Sequence, residues 1–262
     1  MTVKIVPATE ELVTEIEIWL DAEEAEYDRQ YREWEAADYE GEICVRGFRC
    51  NWDSVKRGWR AGRSSLDVLI RDSRAIGFLD GYDILEVHPL ERGKGYGRIL
   101  ADFMVQNAWD DGRSVVEIEI APPSALKFWE SMGFTAVHGR RGNGSGIYAY
   151  KIMPRPLGVP NGHQASYAVE FYTPDAKYSG GAPFLIYAGT GSVTGEGCID
   201  LPERVFCFSA AISDTYDCFA KVKVGDEIVF FDKVKRREAT DVGFKTDHGY
   251  VYYIEKISLR RT

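Results

Sequence analysis

The stretch ERGKGYGRIL, residues 91–100, sets Gly93, Gly95 and Gly97 at alternate positions among Arg92, Lys94 and Arg98. Glycine lets backbone approach a ligand closely, because no side chain intervenes. If a helix follows, its first turn adds unpaired N–H groups and the positive end of its dipole. The chemistry that suits such a stretch is the binding of a diphosphate, with the three basic residues at its rim. Neither familiar phosphate loop is present. The spacing is G-x-G-x-G, not G-x-G-x-x-G, and no G-x-x-x-x-G-K-[ST] occurs. Alone, the glycines fit a tight turn equally well.

Carboxylates lie on both sides. Asp83 and Glu86 precede the glycines, and Glu117 and Glu119 follow them. A carboxylate, or a water it holds, can take the proton of an amine whose pKa is about 10. Side chains alternate along a strand, so Asp83 and Glu86 face opposite ways while Glu117 and Glu119 share a face. His88, placed before Pro89, reads as structural. The five cysteines are odd in number and none form C-x-x-C. They read as reduced, mostly buried thiols, with no disulfide framework and no metal site.

The elements around these residues follow from periodicity. Residues 3–8 read as a strand, and Thr9 caps a helix carrying Ile16, Trp19 and Leu20 that continues through 22–35. A second helix is read at 51–62. Strands at 66–72 and 75–81 flank a turn at Asp72-Ser73-Arg74, and a third strand spans 84–89. The glycines then lead into a helix at 98–112 with apolar Ile99, Leu100, Phe103, Met104 and Ala108. A strand at 114–120, a helix at 124–133 capped by Ser124, and strands at 134–137 and 147–153 complete the region, with a flexible loop at 139–146. Prolines and glycines at 154–165 have linker composition. Residues 166–262 read as β throughout, a small barrel or sandwich.

The chain is 45% hydrophobic and 28% charged, with a net charge of −9. Residues 155–262 hold 13 Lys+Arg against 14 Asp+Glu, so nearly all the excess acid lies in residues 1–154. Such a surface repels nucleic-acid phosphates and favours cationic partners. The basic run KVKRRE (233–238) reads as a solvated edge. There is no signal-peptide pattern at the start and no apolar stretch of about 18 residues, so no membrane partner and a cytoplasmic location are expected.

VHPLERGKGYGRIL resembles the acyl-CoA-binding signature of the GCN5-related N-acetyltransferases (GNAT), [QR]-x-x-G-x-[GA], with Arg92, Gly95 and Gly97 in its fixed positions. The preceding LEVHP resembles the family's V-x-P strand end. SALKFWESMGF resembles the family's A-x-x-[FL]-Y-x-x-x-G-F segment, with Ala125, Phe128, Gly133 and Phe134 in place. The resemblance covers residues 1–153 and implies an α/β fold with a mixed central sheet and flanking helices. It implies acetyl-CoA as the acyl donor, lying where the strand at 84–89 splays from the strand at 114–120. Backbone near Val87 would meet the pantetheine arm. Arg92, Gly93, Lys94, Gly95, Tyr96, Gly97 and Arg98 would hold the diphosphate. An amine would attack the thioester directly, so Cys44 and Cys50 are not needed as nucleophiles.

By the same resemblance Glu119 is the first choice of proton acceptor, followed by Glu86 and then Asp83. Two departures stand out. Trp129 occupies the place of a tyrosine that protonates the leaving thiolate, and Pro122-Pro123 stands where relatives often carry asparagine. Tyr148 or Tyr150 is a candidate replacement acid. The expected function is acetyl transfer to a primary amine, on a small cation or a protein. The alternative is a sensor that binds acyl-CoA without turnover. The β region is expected to cover the acceptor opening, pair two copies as a homodimer, or bind a separate ligand.

Overall fold

The computed structural model describes all residues except 1, 43–44, 143–145, 159–161, 196, 213–214, 216, 250 and 260–262. Cys44, part of the loop at 139–146 and part of the stretch at 154–165 therefore lie outside the described residues. The chain packs as two compact units. One holds Met1–Ala108 and Ile118–Ala149, the other Trp109–Glu117 and Tyr150–Thr262.

In the first unit, β1 (Val3–Pro7) leads into α1 (Glu10–Ala36). The Thr9 hydroxyl accepts the Leu12 N–H at 3.4 Å, and Glu10 and Glu11 suit the positive end of the helix. The buried residues of α1 all lie in its first half: Val13, Ile16, Trp19 and Leu20. These pack with Trp52 and Val55 of α2 (Arg49–Arg60) against Val68 of β2 (Leu66–Arg71) and Phe78 of β3 (Arg74–Asp80). Phe78 is the hub: ring centroids of Trp19, Phe48 and Trp52 lie 6.1, 5.8 and 4.9 Å from its own. The β2–β3 turn at Asp72 and Ser73 takes left-handed φ values of 49° and 70°.

Strands β1, β2, β3 and β4 (Ile84–Val87) form an antiparallel sheet in that order, which leaves β4 at an edge. The helix after the glycines, α3 (Tyr96–Asp110), starts two residues earlier than periodicity implied, so Gly97 and Arg98 lie in its first turn. It buries Leu100, Ala101, Met104 and Ala108. Gly77 of β3 permits this close packing: a Cβ there would stand 2.7 Å from the Glu86 carbonyl and 3.1 Å from Leu100 Cδ1. A second sheet has the order β5 (Val115–Ile120), β7 (Ile147–Ile152), β6 (Thr135–Arg141). Between β5 and β6 come a 3-10 turn (Pro123–Ala125) and α4 (Leu126–Ser131). Ser124 does not cap α4, and β6 runs on into the residues read as a loop.

The second unit is a single seven-stranded sheet, not a closed barrel or a two-sheet sandwich. Its strands are β8 (Gln164–Tyr172), β9 (Leu185–Val193), β10 (Cys198–Phe206), β11 (Phe219–Val224), β12 (Glu227–Lys233), β13 (Phe244–Thr246) and β14 (Tyr252–Ser258). They lie in the order β12-β11-β8-β9-β10-β14-β13. At about 4.8 Å per strand, the edges of a flat sheet of this size would stand nearly 30 Å apart. Instead Phe230 of β12 and Phe244 of β13 have ring centroids 6.0 Å apart, so the sheet curls into a half-barrel. The helix α6 (Arg237–Val242) joins β12 to β13 and packs Ala239 into the same core as Phe230 and Phe244.

Two helices interrupt the run read as all β. In α5 (Pro174–Ser179) the Thr173 hydroxyl accepts the Ala176 N–H at 3.2 Å, and Gly180 ends the helix at φ 73°. Gly243 ends α6 at φ 119°. The segment 155–157 is paired rather than free: Leu157 N–H bonds the Pro202 carbonyl at 2.9 Å, and Arg204 N–H bonds the Arg155 carbonyl at 3.0 Å.

Candidate functional site

The turn from β4 into α3 is braced before it reaches the glycines. The His88 N–H bonds the Ile76 carbonyl at 2.9 Å, and its Nδ1 accepts the Leu90 N–H at 3.1 Å. His88 is thus a structural cap for the 3-10 turn Pro89–Glu91. Glu91 takes both guanidinium nitrogens of Arg71 at 2.7 and 2.8 Å, and Arg71 also donates to the Tyr96 hydroxyl at 3.1 Å. Lys94 donates to Glu91 at 3.1 Å. The Lys94 hydrogen bond and the Arg71 pair hold the Glu91 carboxyl below its usual range. β2 thereby fixes both Lys94 and Tyr96.

Gly93 and Gly95 adopt φ values of 77° and 87°, left-handed conformations that favour glycine. A Cβ on either would meet nothing within 4 Å, so the backbone face there is open. No acidic residue occupies the first turn of α3, which leaves its positive end uncompensated by the helix itself.

Two segments distant in sequence meet at Gly97. A Cβ at Gly97 would stand 3.5 Å from Phe128 Cζ and 3.8 Å from Val87 Cγ2. Arg98 donates to Ser131 Oγ at 3.1 Å, a second tie between α3 and α4. Val87 is the last residue of the edge strand. Glu86 and His88 direct their backbone groups at β3, as the His88 to Ile76 bond shows, so those of Val87 point to the open side. This brings together Val87, the 92–98 loop and Phe128.

Glu86 sits largely buried between the loop and α1. Burial pushes it up to about 7; Arg92 and the Val87 N–H pull it down, and the neighbouring Glu23 pushes it further up. Glu23 of α1 was not singled out from sequence, where its helix reads as a solvated acidic face. Its Oε1 lies 2.8 Å from an Arg92 guanidinium nitrogen that is also 3.6 Å from Glu86 Oε2. Arg92 Nε donates to the Val87 carbonyl at 3.0 Å.

Glu119 is placed differently. Its Oε1 accepts the Gly146 N–H at 2.7 Å. Cβ atoms on Gly142 or Gly146 would stand 2.4 and 2.6 Å from Glu119 atoms, so glycine backbone wraps this carboxylate. Glu117 is exposed on β5, and Asp83 is exposed in the β3–β4 turn, outside the strand that carries Glu86. Tyr148 is buried, with the Arg140 guanidinium 3.6 Å from its ring centroid. Trp129 packs edge-on to Phe128 and Phe134, each at 5.1 Å, which anchors α4 to the strand after it.

Among the described residues no group of His, Cys, Asp and Glu has the arrangement of a metal site. No described helix is long and apolar enough to cross a membrane. No family model and no curated protein matches the chain. The solved structures it matches include a GNAT-family acetyltransferase from Staphylococcus aureus, at 12% identity and TM-score 0.41, covering 58% of this chain and 99% of that one. Another is the PaiA N-acetyltransferase of Thermoplasma acidophilum in complex with coenzyme A, at 13% identity and TM-score 0.40, covering 58% and 100%. A third is the ribosomal-protein-S18-alanine N-acetyltransferase of Escherichia coli, at 13% identity and TM-score 0.37, covering 58% and 94%.

Proposed function

We propose that residues 1–153 form an acetyl-CoA-dependent N-acetyltransferase that acts on a primary amine. The observation that carries this reading is the meeting of Val87, Gly97 and Phe128, three points of two separate motifs, beside an open glycine backbone. The fit to a CoA diphosphate rests on that backbone: Gly93 and Gly95 hold left-handed turns with clear space where side chains would be. Their N–H groups and the first turn of α3 would hold the diphosphate, Lys94 and Arg98 would add charge, and the outward backbone groups of Val87 would take the pantetheine amide.

Bound acetyl-CoA supplies a thioester carbonyl; the amine nitrogen bonds to it as the C–S bond breaks and the thiolate leaves. The chain's own task is the amine proton. Glu86 is our proton acceptor, because burial raises it to about 7 and a base near the working pH is the most effective. Glu119, tied to Gly146, positions the β6–β7 loop. No strong acid is required at Trp129, since a thiol pKa of about 8.5 lets the thiolate leave unprotonated. The acidic surface of the first half suits a cationic acceptor, and a cytoplasmic setting would supply acyl-CoA. Trp129 also favours a second reading, a sensor that binds acyl-CoA without turnover.

The test is to mix the protein with acetyl-CoA and a panel of primary amines and to follow free thiol. Amine-dependent thiol release that falls in Glu86→Gln supports the enzyme. CoA binding with no release on any amine supports the sensor.

A further inference from the structure

Arg92 differs from the other two basic residues of the loop in what it touches. Lys94 is held by Glu91 beside the glycines, and Arg98 by Ser131 of α4. Arg92 instead turns back toward β4 and α1. Its guanidinium reaches Glu23 at 2.8 Å and Glu86 at 3.6 Å, and its Nε takes the Val87 carbonyl at 3.0 Å. One flexible side chain thus stands against two carboxylates and occupies the outward acceptor of the edge strand. It is also half-exposed and sits at the start of the loop with the open backbone face.

We propose that Arg92 is a positioning residue with two sets of partners: Glu23, Glu86 and the Val87 carbonyl in the free protein, and the diphosphate once acyl-CoA lies on the 92–98 loop. The inference rests on the acyl-CoA reading above. The half-exposed Arg92 guanidinium is free to turn from the largely buried Glu23 and Glu86 carboxylates to a diphosphate, which offers it bidentate oxygens and more charge. The move releases the Val87 carbonyl to the pantetheine arm. It also leaves Glu86 and Glu23 facing each other without their cation. The charged groups acting on Glu86 are Arg92 from the loop and Glu23 from α1, with the Val87 N–H as a third influence. Glu24, next to Glu23, is paired with Arg46. Losing Arg92 therefore makes Glu86 bind a proton more tightly. A cationic acceptor arriving afterwards would take Arg92's place beside Glu86 and lower its proton affinity again, so that Glu86 releases the proton it took up to solvent and can then accept one from the amine. Acceptor recognition would then follow the acyl donor.

The consequence is measurable without any acceptor. Coenzyme A binding near pH 7 is followed by titration calorimetry in phosphate and in Tris, buffers of different ionisation enthalpy, which gives the protons taken up per CoA. The wild type is expected to take up more protons than Glu86→Gln, by on the order of half a proton, because Glu86 titrates near that pH. Protonation of the CoA phosphates is common to both proteins and cancels. Arg92→Gln, in which Glu86 is uncompensated from the start, is expected to lose the same uptake and to bind CoA roughly tenfold more weakly. Equal uptake in the wild type and Glu86→Gln would overturn the inference while leaving the acyl-CoA reading intact. No binding of CoA to the wild type would overturn both.

Discussion

Phe128 of α4 lies 3.5 Å from where a Cβ on Gly97 would stand, and Val87 closes the same point from β4 at 3.8 Å. The contact joins two motifs that the sequence presents separately. It also makes the Phe128 ring a wall of the proposed pantetheine and diphosphate site. Phe128→Ala should weaken CoA binding roughly tenfold, the equivalent of about 1.4 kcal/mol, measured by titration calorimetry. Unchanged affinity would mean that the ring only packs α4 against α3.

As the proposed proton acceptor, Glu86 predicts a pH dependence. With a value of about 7, it must lose its proton before it can accept one from an amine, so kcat/KM should rise with pH up to about 7. Glu86→Gln should lose that limb and about 10²–10⁴-fold in rate. Stability should move the opposite way. A carboxyl raised on folding contributes stability that is complete below its unfolded value of about 4.3 and is lost as pH rises through about 7. Relative to wild type, Glu86→Gln should therefore gain in Tm between pH 5 and pH 8.

Gly146 is close-packed against the candidate that sequence placed first. A Cβ there would stand 2.6 Å from Glu119 Cγ and 2.6 Å from the Ile120 carbonyl. Gly146→Ala should destabilise the chain by about 1–3 kcal/mol in urea unfolding. No loss of stability would show that the β6–β7 loop does not hold Glu119 as described.

In the second unit, Arg204 is nearly fully buried. It pairs with Glu255 through Nε at 2.8 Å and Nη2 at 2.7 Å, donates to the Gly112 carbonyl at 2.5 Å, and stacks on Tyr253 at 3.8 Å. Asp247, also buried, accepts the Ser114 N–H at 2.8 Å. Arg204→Ala should cost about 3–5 kcal/mol, because it strands the groups that Arg204 satisfies. Arg204→Lys should recover little, since an ammonium cannot reproduce the planar fork. A change below 1 kcal/mol in denaturant would contradict this.

What was legible in the sequence was what local residues decide. The left-handed backbone at Gly93 and Gly95, the Thr9 cap and the Asp72–Ser73 turn are each set by neighbouring residues and so leave a local signal. The start of α3 was read two residues late because Gly97 looks like turn rather than helix. The helix α5 had a readable signature in Thr173-Pro174 and Gly180, hidden by aromatic strands on both sides. The curl of the seven-stranded sheet had no local signal, because it depends on Phe230 and Phe244 meeting across the edges. Glu23 was invisible for a similar reason. It sits among the acids of a long helix, and only the fold sets it against Arg92 and Glu86.

The central claim is that the 92–98 loop binds the diphosphate of an acyl-CoA. Gly95→Asp tests it most directly. At φ 87° aspartate is among the better-tolerated side chains, and a Cβ there meets nothing within 4 Å, so the fold should survive. The added carboxylate would stand in the proposed anion site. Titration calorimetry with coenzyme A should show binding to the wild type and at least a hundredfold loss in Gly95→Asp, with the Tm of the free proteins within a few degrees. Equal affinity in the two proteins, or no binding to the wild type, would contradict the account.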